Sequence, residues 1–260
     1  MPKINELEAT ARRALHIFYV LDTSGSMTGT PVATLNRAME ETVEVLRKQA
    51  KSNADAELKI AVLEFNSGAR WIQPNGPENM EDFIWEDLSA GGLTDVGAAL
   101  SELDSKLSRK AFLNSMTGAY LPIIIFMSDG CATDNYGKAL DEIRKNKWFA
   151  RSTKIGFALG ENPDMEMISK VVGNSEAVVR TQDLDLFARL IKFASVTASM
   201  MCSTSRTSTQ DVTGADILKE AIEQGSAPDS IIESVPVDVP EPSADGKDST
   251  SDGWDADDWD

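Results

Sequence analysis

Seven consecutive apolar or near-apolar residues, Leu15-His16-Ile17-Phe18-Tyr19-Val20-Leu21, run straight into Asp22-Thr23-Ser24-Gly25-Ser26-Met27. A short run apolar at almost every position is what a strand buried on both faces requires, and such strands belong to parallel sheets. The Asp-x-Ser-x-Ser segment around Gly25 breaks the strand, and Thr30-Pro31 then opens a helical pattern. A carboxylate and two hydroxyls on a strand-to-helix loop form a set of hard oxygen donors, which suits Mg²⁺ or Mn²⁺ better than zinc. Open α/β sheets place their ligands on such loops, at the carboxyl ends of strands. The same residues also suit a plain helix-entry turn in which Ser and Asp only cap backbone N–H groups.

Two further segments favour the metal. Gly91-Gly92-Leu93-Thr94-Asp95 offers a hydroxyl after a Gly-rich turn and feeds a helical run at Val96, Leu100, Leu103 and Leu107. Leu121 to Ser128 is a second buried strand, ending in Asp129-Gly130. Three oxygen-bearing loops can converge at one sheet edge, so the candidate ligands are Asp22, Ser24, Ser26, Thr94 and Asp129. Asp95, Asp134 and Glu64 lie in or near these loops and rank below them, as residues that tune the field or bond bound water.

Strands and helices alternate along the rest of the chain. A helix is expected from Pro31 to about Ala50, a strand over Leu58 to Phe65, and a hairpin through Asn66-Ser67-Gly68 into a short strand at Ala69 to Ile72. Residues 79–88 read as a short element covering a core edge. One helix is expected through Tyr136, Leu140, Ile143 and Trp148, and a strand over Ile155 to Leu159. A short helix follows over Met165 to Val172, then a brief strand at Ala177 to Val179 and an amphipathic helix over Leu184 to Met200. The fold class is α/β: a doubly wound, mostly parallel central sheet, helices on both faces, and one short antiparallel edge strand.

The domain expected at 14–202 sits between a polar lead (1–13), a Ser/Thr-rich linker with a short helix (203–225), and an acidic tail (226–260). Net charge is −17, of which residues 226–260 carry −10. That sign is wrong for a general binder of nucleic acid or anionic membrane and right for a cation or a basic partner. The tail is rich in Pro, Asp and Ser and cannot bury a core. Its Trp254 and Trp259 read either as part of a solubilising tail or as anchors for a partner's pocket.

His16, the single histidine, reads as a satisfied core or strand-edge residue. Together with the absence of a Gly-x-Ser-x-Gly motif this leaves little for a hydrolytic triad. Cys131 and Cys202 have neither disulfide-framework nor zinc spacing. Met1 to Ala11 is polar, and no apolar run reaches membrane length, so the expected compartment is the cytoplasm.

Asp22-x-Ser24-x-Ser26, then Thr94-Asp95, then Asp129-Gly130, in that order, resemble the metal-ion-dependent adhesion site of von Willebrand factor A domains, over about residues 14–200. Asp22-Thr23-Ser24-Gly25-Ser26-Met27, Ser128 to Asp134, Ile155 to Gly160 and the Phe187–Ser199 helix resemble the bacterial intracellular TerY-type, tellurite-resistance proteins. Ala132 departs from the proline common there, at a position that is not a ligand. The resemblance implies that Ser24, Ser26 and at times Thr94 bind metal directly, the aspartates often through water. It also implies a non-enzymatic role, in which the ion takes a carboxylate from a partner protein, and an association with Ser/Thr kinases or phosphatases. An adaptor for an AAA+ ATPase and a Mg²⁺-dependent phosphoryl-transfer enzyme are the alternatives.

Overall fold

The structure, a computed structural model, describes residues 12–204 and 213–225. The chain opens with β1 (Arg13–Asp22), a 3-10 turn (Gly25–Met27) and α1 (Thr30–Ser52). Next come β2 (Ala56–Asn66), β3 (Gly68–Trp71), β4 (Glu78–Asn79), α2 (Val96–Lys106) and β5 (Ile123–Ser128). The remainder is α3 (Gly137–Ile143), α4 (Lys147–Arg151), β6 (Thr153–Leu159), α5 (Met165–Val172), β7 (Val178–Thr181), α6 (Leu184–Thr204) and α7 (Gly214–Gly225).

The strands form one sheet in the order β3-β2-β1-β5-β6-β7, with β4 paired to β2. Pairing is parallel from β2 through β7, and β3 is antiparallel to β2 as the hairpin predicted. The two-residue β4 adds a second antiparallel pairing on β2. After β1 the chain winds outward to β2 and β3, then crosses to β5 and winds the other way. The carboxyl ends of β1 and β5 are therefore the switch point, where such sheets open a crevice. Leu21 lies opposite Met127, which brings Asp22 beside Ser128.

Alternation along β1 divides the core. Leu15, Ile17, Tyr19 and Leu21 pack with α1, α6 and α7, whereas Phe18 and Val20 pack with α2, α3, α4 and α5. Tyr19 also donates its hydroxyl to Ser195 Oγ at 2.8 Å, and Ser195 in turn donates to the Ile191 carbonyl at 2.6 Å, tying β1 to α6. His16 faces the second layer, 1% exposed and stacked 6.2 Å from Phe18. It is a core residue but not a satisfied one, since neither ring nitrogen has a partner among the described residues. Burial, with the Lys59 charge adding, pushes its pKa down to about 4.

Two segments differ from expectation, and the short helix expected within 203–225 is found. The helix expected through Tyr136 to Trp148 is two helices, because the Asn146 side chain accepts from the N–H groups of Trp148 and Phe149 and starts α4. Residues 80–88 are irregular. Met80, Phe83 and Leu88 are buried there, and Asn36 pins Leu88 with two 2.9 Å bonds, one to each backbone polar group. The helical pattern at Asp216 to Gln224 is α7, and it docks: Ile217, Leu218 and Ala221 are buried in the α1–α6 layer. Gly214 fits so closely that an added Cβ would collide with the Lys154 carbonyl oxygen. Among the described residues no helix is long and apolar enough to cross a membrane.

Candidate metal centre

Asp22 closes β1 and is fully buried. Its Oδ1 accepts from the Ser24 N–H at 2.8 Å, which folds the Asp-x-Ser turn. Its Oδ2 accepts from the Ser128 hydroxyl at 2.6 Å, across the β1–β5 switch point. Ser24 Oγ lies 3.0 Å from Ser26 Oγ, and Ser26 donates to Asp129 Oδ1 at 2.8 Å. A Cβ built on Gly130 would stand 3.6 Å from Ser26 Oγ and 3.8 Å from Thr94 Oγ1. Both hydroxyls therefore border the same glycine. Asp22, Ser24, Ser26, Thr94 and Asp129 are thus brought together at one end of the sheet.

Both carboxyls are held above the ordinary carboxylate range, chiefly by burial, and the charge of Asp129 adds to the effect on Asp22. A bound dication works in the opposite sense, because it favours the ionised forms. The donors are hydroxyl and carboxylate oxygens throughout, the set that hard cations take. Among the described residues no three His, Cys, Asp or Glu side chains cluster as a metal-holding group.

The loops are pinned before any ion arrives. Gly91 N–H donates to the Thr23 carbonyl at 2.8 Å, and Gly25 N–H to the Gly92 carbonyl at 3.1 Å. A side chain at Gly25 would press on that Gly92 carbonyl at 3.2 Å. From the β2–β3 hairpin, the Asn66 carbonyl accepts from Asp95 N–H at 2.9 Å and Ser67 Oγ accepts from Leu93 N–H at 3.0 Å.

Ser128 and Thr133 were not singled out by sequence reasoning, although both touch this network. Ser128 precedes Asp129 directly, but strand alternation alone does not show that its hydroxyl turns toward Asp22. Of the lower-ranked acids, Asp95 accepts from Thr133 Oγ1 at 3.2 Å and Asp134 from Gly97 N–H at 2.7 Å. Glu64 instead pairs with Arg70 inside the hairpin, at 2.6 Å. Cys131 is exposed beside the loop. Trp254 and Trp259 lie outside the described residues.

Solved structures share this fold at low identity. The von Willebrand factor type A protein from Catenulispora acidiphila is 16% identical with a TM-score of 0.53, over 73% of this chain and 43% of that one. The ArnB paralog VWA2 from Sulfolobus acidocaldarius is 15% identical at 0.53, over 71% and 46%. Proximal thread matrix protein 1 from the mussel byssus, solved with a zinc-occupied MIDAS motif, is 15% identical at 0.53, over 70% and 47%. The chain spans less than half the length of each of these structures. No curated protein matches the sequence. The family model for the von Willebrand factor type A domain matches residues 16–192, well over half of the chain. On that extent of match, the chain belongs to the von Willebrand factor type A domain family.

Proposed function

We propose that this chain is a metal-dependent protein-recognition module, holding Mg²⁺ or Mn²⁺ at Asp22, Ser24, Ser26, Thr94 and Asp129. The observation that carries the reading is the convergence of three hydroxyls and two carboxylates, from three separate loops, at the switch point. Two carboxylates offset a dication's charge without excess. When bound, the cation offers an electrophilic position to an oxygen ligand from outside, and a partner's carboxylate matches it in charge and hardness. Asp22 has an oxygen on Ser24 and an oxygen on Ser128, so its part is to orient the loop and supply charge from behind. The family's members are typically interaction modules rather than enzymes. The mussel protein's zinc-occupied motif also supports a metal at this kind of site.

The likeness to TerY-type proteins supports a setting in the bacterial cytoplasm, within a stress- or tellurite-resistance assembly containing a Ser/Thr kinase or phosphatase. Isothermal titration of Mg²⁺, Mn²⁺ and Zn²⁺ tests the metal. Saturable binding that the Ser24→Ala/Ser26→Ala pair abolishes is the expected result; binding that survives in the double variant sinks the assignment. Capture from a bacterial lysate in Mg²⁺ and in EDTA tests the setting. A kinase or phosphatase retained only in Mg²⁺ fits it, whereas an AAA+ ATPase recovered in its place reassigns the module to a motor.

A further inference from the structure

Thr94 differs from the other candidate ligands in its support. Asp22 ends β1, Ser24 and Ser26 follow it, and Asp129 follows β5, so paired strands hold each of them at the switch point. The loop carrying Thr94 has no strand leading into it from the parallel sheet, and it reaches the site only as well as neighbouring loops hold it. On the β1 and β2 side it is pinned through Thr23, Gly25, Asn66 and Ser67. On the β5 side its ties run to two residues beyond Asp129.

Thr133 makes three bonds to this loop. Its hydroxyl accepts from Thr94 N–H at 3.0 Å and donates to Asp95 Oδ1 at 3.2 Å, while its own N–H donates to the Thr94 carbonyl at 2.9 Å. Both backbone polar groups of Thr94 are therefore fixed by one residue. Asp95, the N-cap of α2, makes no side-chain capping bond. The next residue along, Asp134, supplies one in its place, its Oδ2 accepting from Gly97 N–H at 2.7 Å. Gly97 permits the approach, because a Cβ there would stand 2.6 Å from that oxygen and 3.1 Å from Tyr136 Cα.

We infer that Thr133 and Asp134 are positioning residues of the metal centre, locking the loop that carries Thr94 to the loop that carries Asp129. The inference rests on the proposed metal site and adds which residues set its affinity. A ligand hydroxyl held from both sides loses little further freedom on binding, whereas one held from a single side must be ordered by the ion at a cost in affinity.

The test is Mn²⁺ titration of the full chain as wild type, Thr133→Val, Thr133→Ser, Asp134→Ala and Asp134→Asn. Thr133→Val keeps the shape and loses the hydroxyl; its Mn²⁺ affinity is expected to fall about tenfold to a hundredfold. Thr133→Ser restores the hydroxyl and Asp134→Asn keeps an acceptor for Gly97, so both are expected to bind close to wild type. Asp134→Ala is expected to fall with Thr133→Val. The gain in melting temperature that Mn²⁺ gives each variant, relative to the same variant in EDTA, separates positioning from plain stabilisation. A merely structural role lowers the EDTA melting point and leaves that gain intact. Wild-type Mn²⁺ affinity in Thr133→Val overturns the positioning role and leaves the metal site standing. A wild type that binds no Mn²⁺ overturns the metal site and this inference with it.

Discussion

At the scale of single residues, Asp22 couples function to folding. Its carboxylate accepts from a buried N–H and a buried hydroxyl, so Asp22→Ala orphans the Ser24 N–H and leaves the Ser128 hydroxyl only a long 3.4 Å bond to the Gly130 carbonyl. An orphaned buried donor costs on the order of 1–3 kcal/mol, and chemical denaturation in EDTA is expected to show the loss without any metal present. Ser26→Ala, at a position exposed to solvent, is expected to weaken metal binding with little change in EDTA stability. His16 offers a different reading. In the unfolded chain its imidazole titrates near 6.5, and in the folded chain near 4. Between those values the unfolded chain binds the extra proton, so stability falls as pH drops from about 6.5 toward 4 and levels off below. The contribution approaches about 3 kcal/mol. The slope of stability against pH in that window is expected to be shallower in His16→Leu; an unchanged slope refutes the buried, neutral state.

At the scale of elements, glycine in α2 gives a test with a reversed sign. Gly→Ala inside a helix ordinarily stabilises by about 0.5–1 kcal/mol. At Gly97 the new methyl group displaces Asp134 from its capping bond. A lowered melting temperature in Gly97→Ala is therefore expected, and a raised one would mean that the bond contributes nothing.

The elements also show what a sequence makes legible. β1 and β5 could be read because burial on both faces leaves a run of apolar residues. The span of α5 was read as found, Met165 to Val172, since its apolar spacing ends at Gly173. The α3–α4 break was hidden, because Leu140, Ile143 and Trp148 keep helical spacing across it; Asn146 was the available signal. The five candidate ligands stood out because each is an oxygen donor at the end of an apolar run or Gly-rich turn. Thr133 did not, since its bonds join loops that lie far apart in sequence.

At the scale of the whole molecule, the core does not stop at residue 202, where the composition turns polar. Burial of Ile217, Leu218 and Ala221 makes α7 part of the α1–α6 layer. A chain cut after Thr204 is expected to lose on the order of 5 kcal/mol, read from its denaturation midpoint, with an apolar strip left open on α6. Replacing Gly214 by Val should produce much of the same loss in the full chain, because the collision with Lys154 lifts the start of α7.

The register of β1 has a mechanical consequence. The strand enters the sheet at Arg13 and ends at Asp22, held lengthwise by ten paired positions on β2 and five on β5. A partner gripping the ligand end and a pull applied upstream of Arg13 would load β1 along its own axis. Its ladder bonds would then share the force in shear instead of opening one at a time, so the central strand would serve as the tension member of a molecular tether.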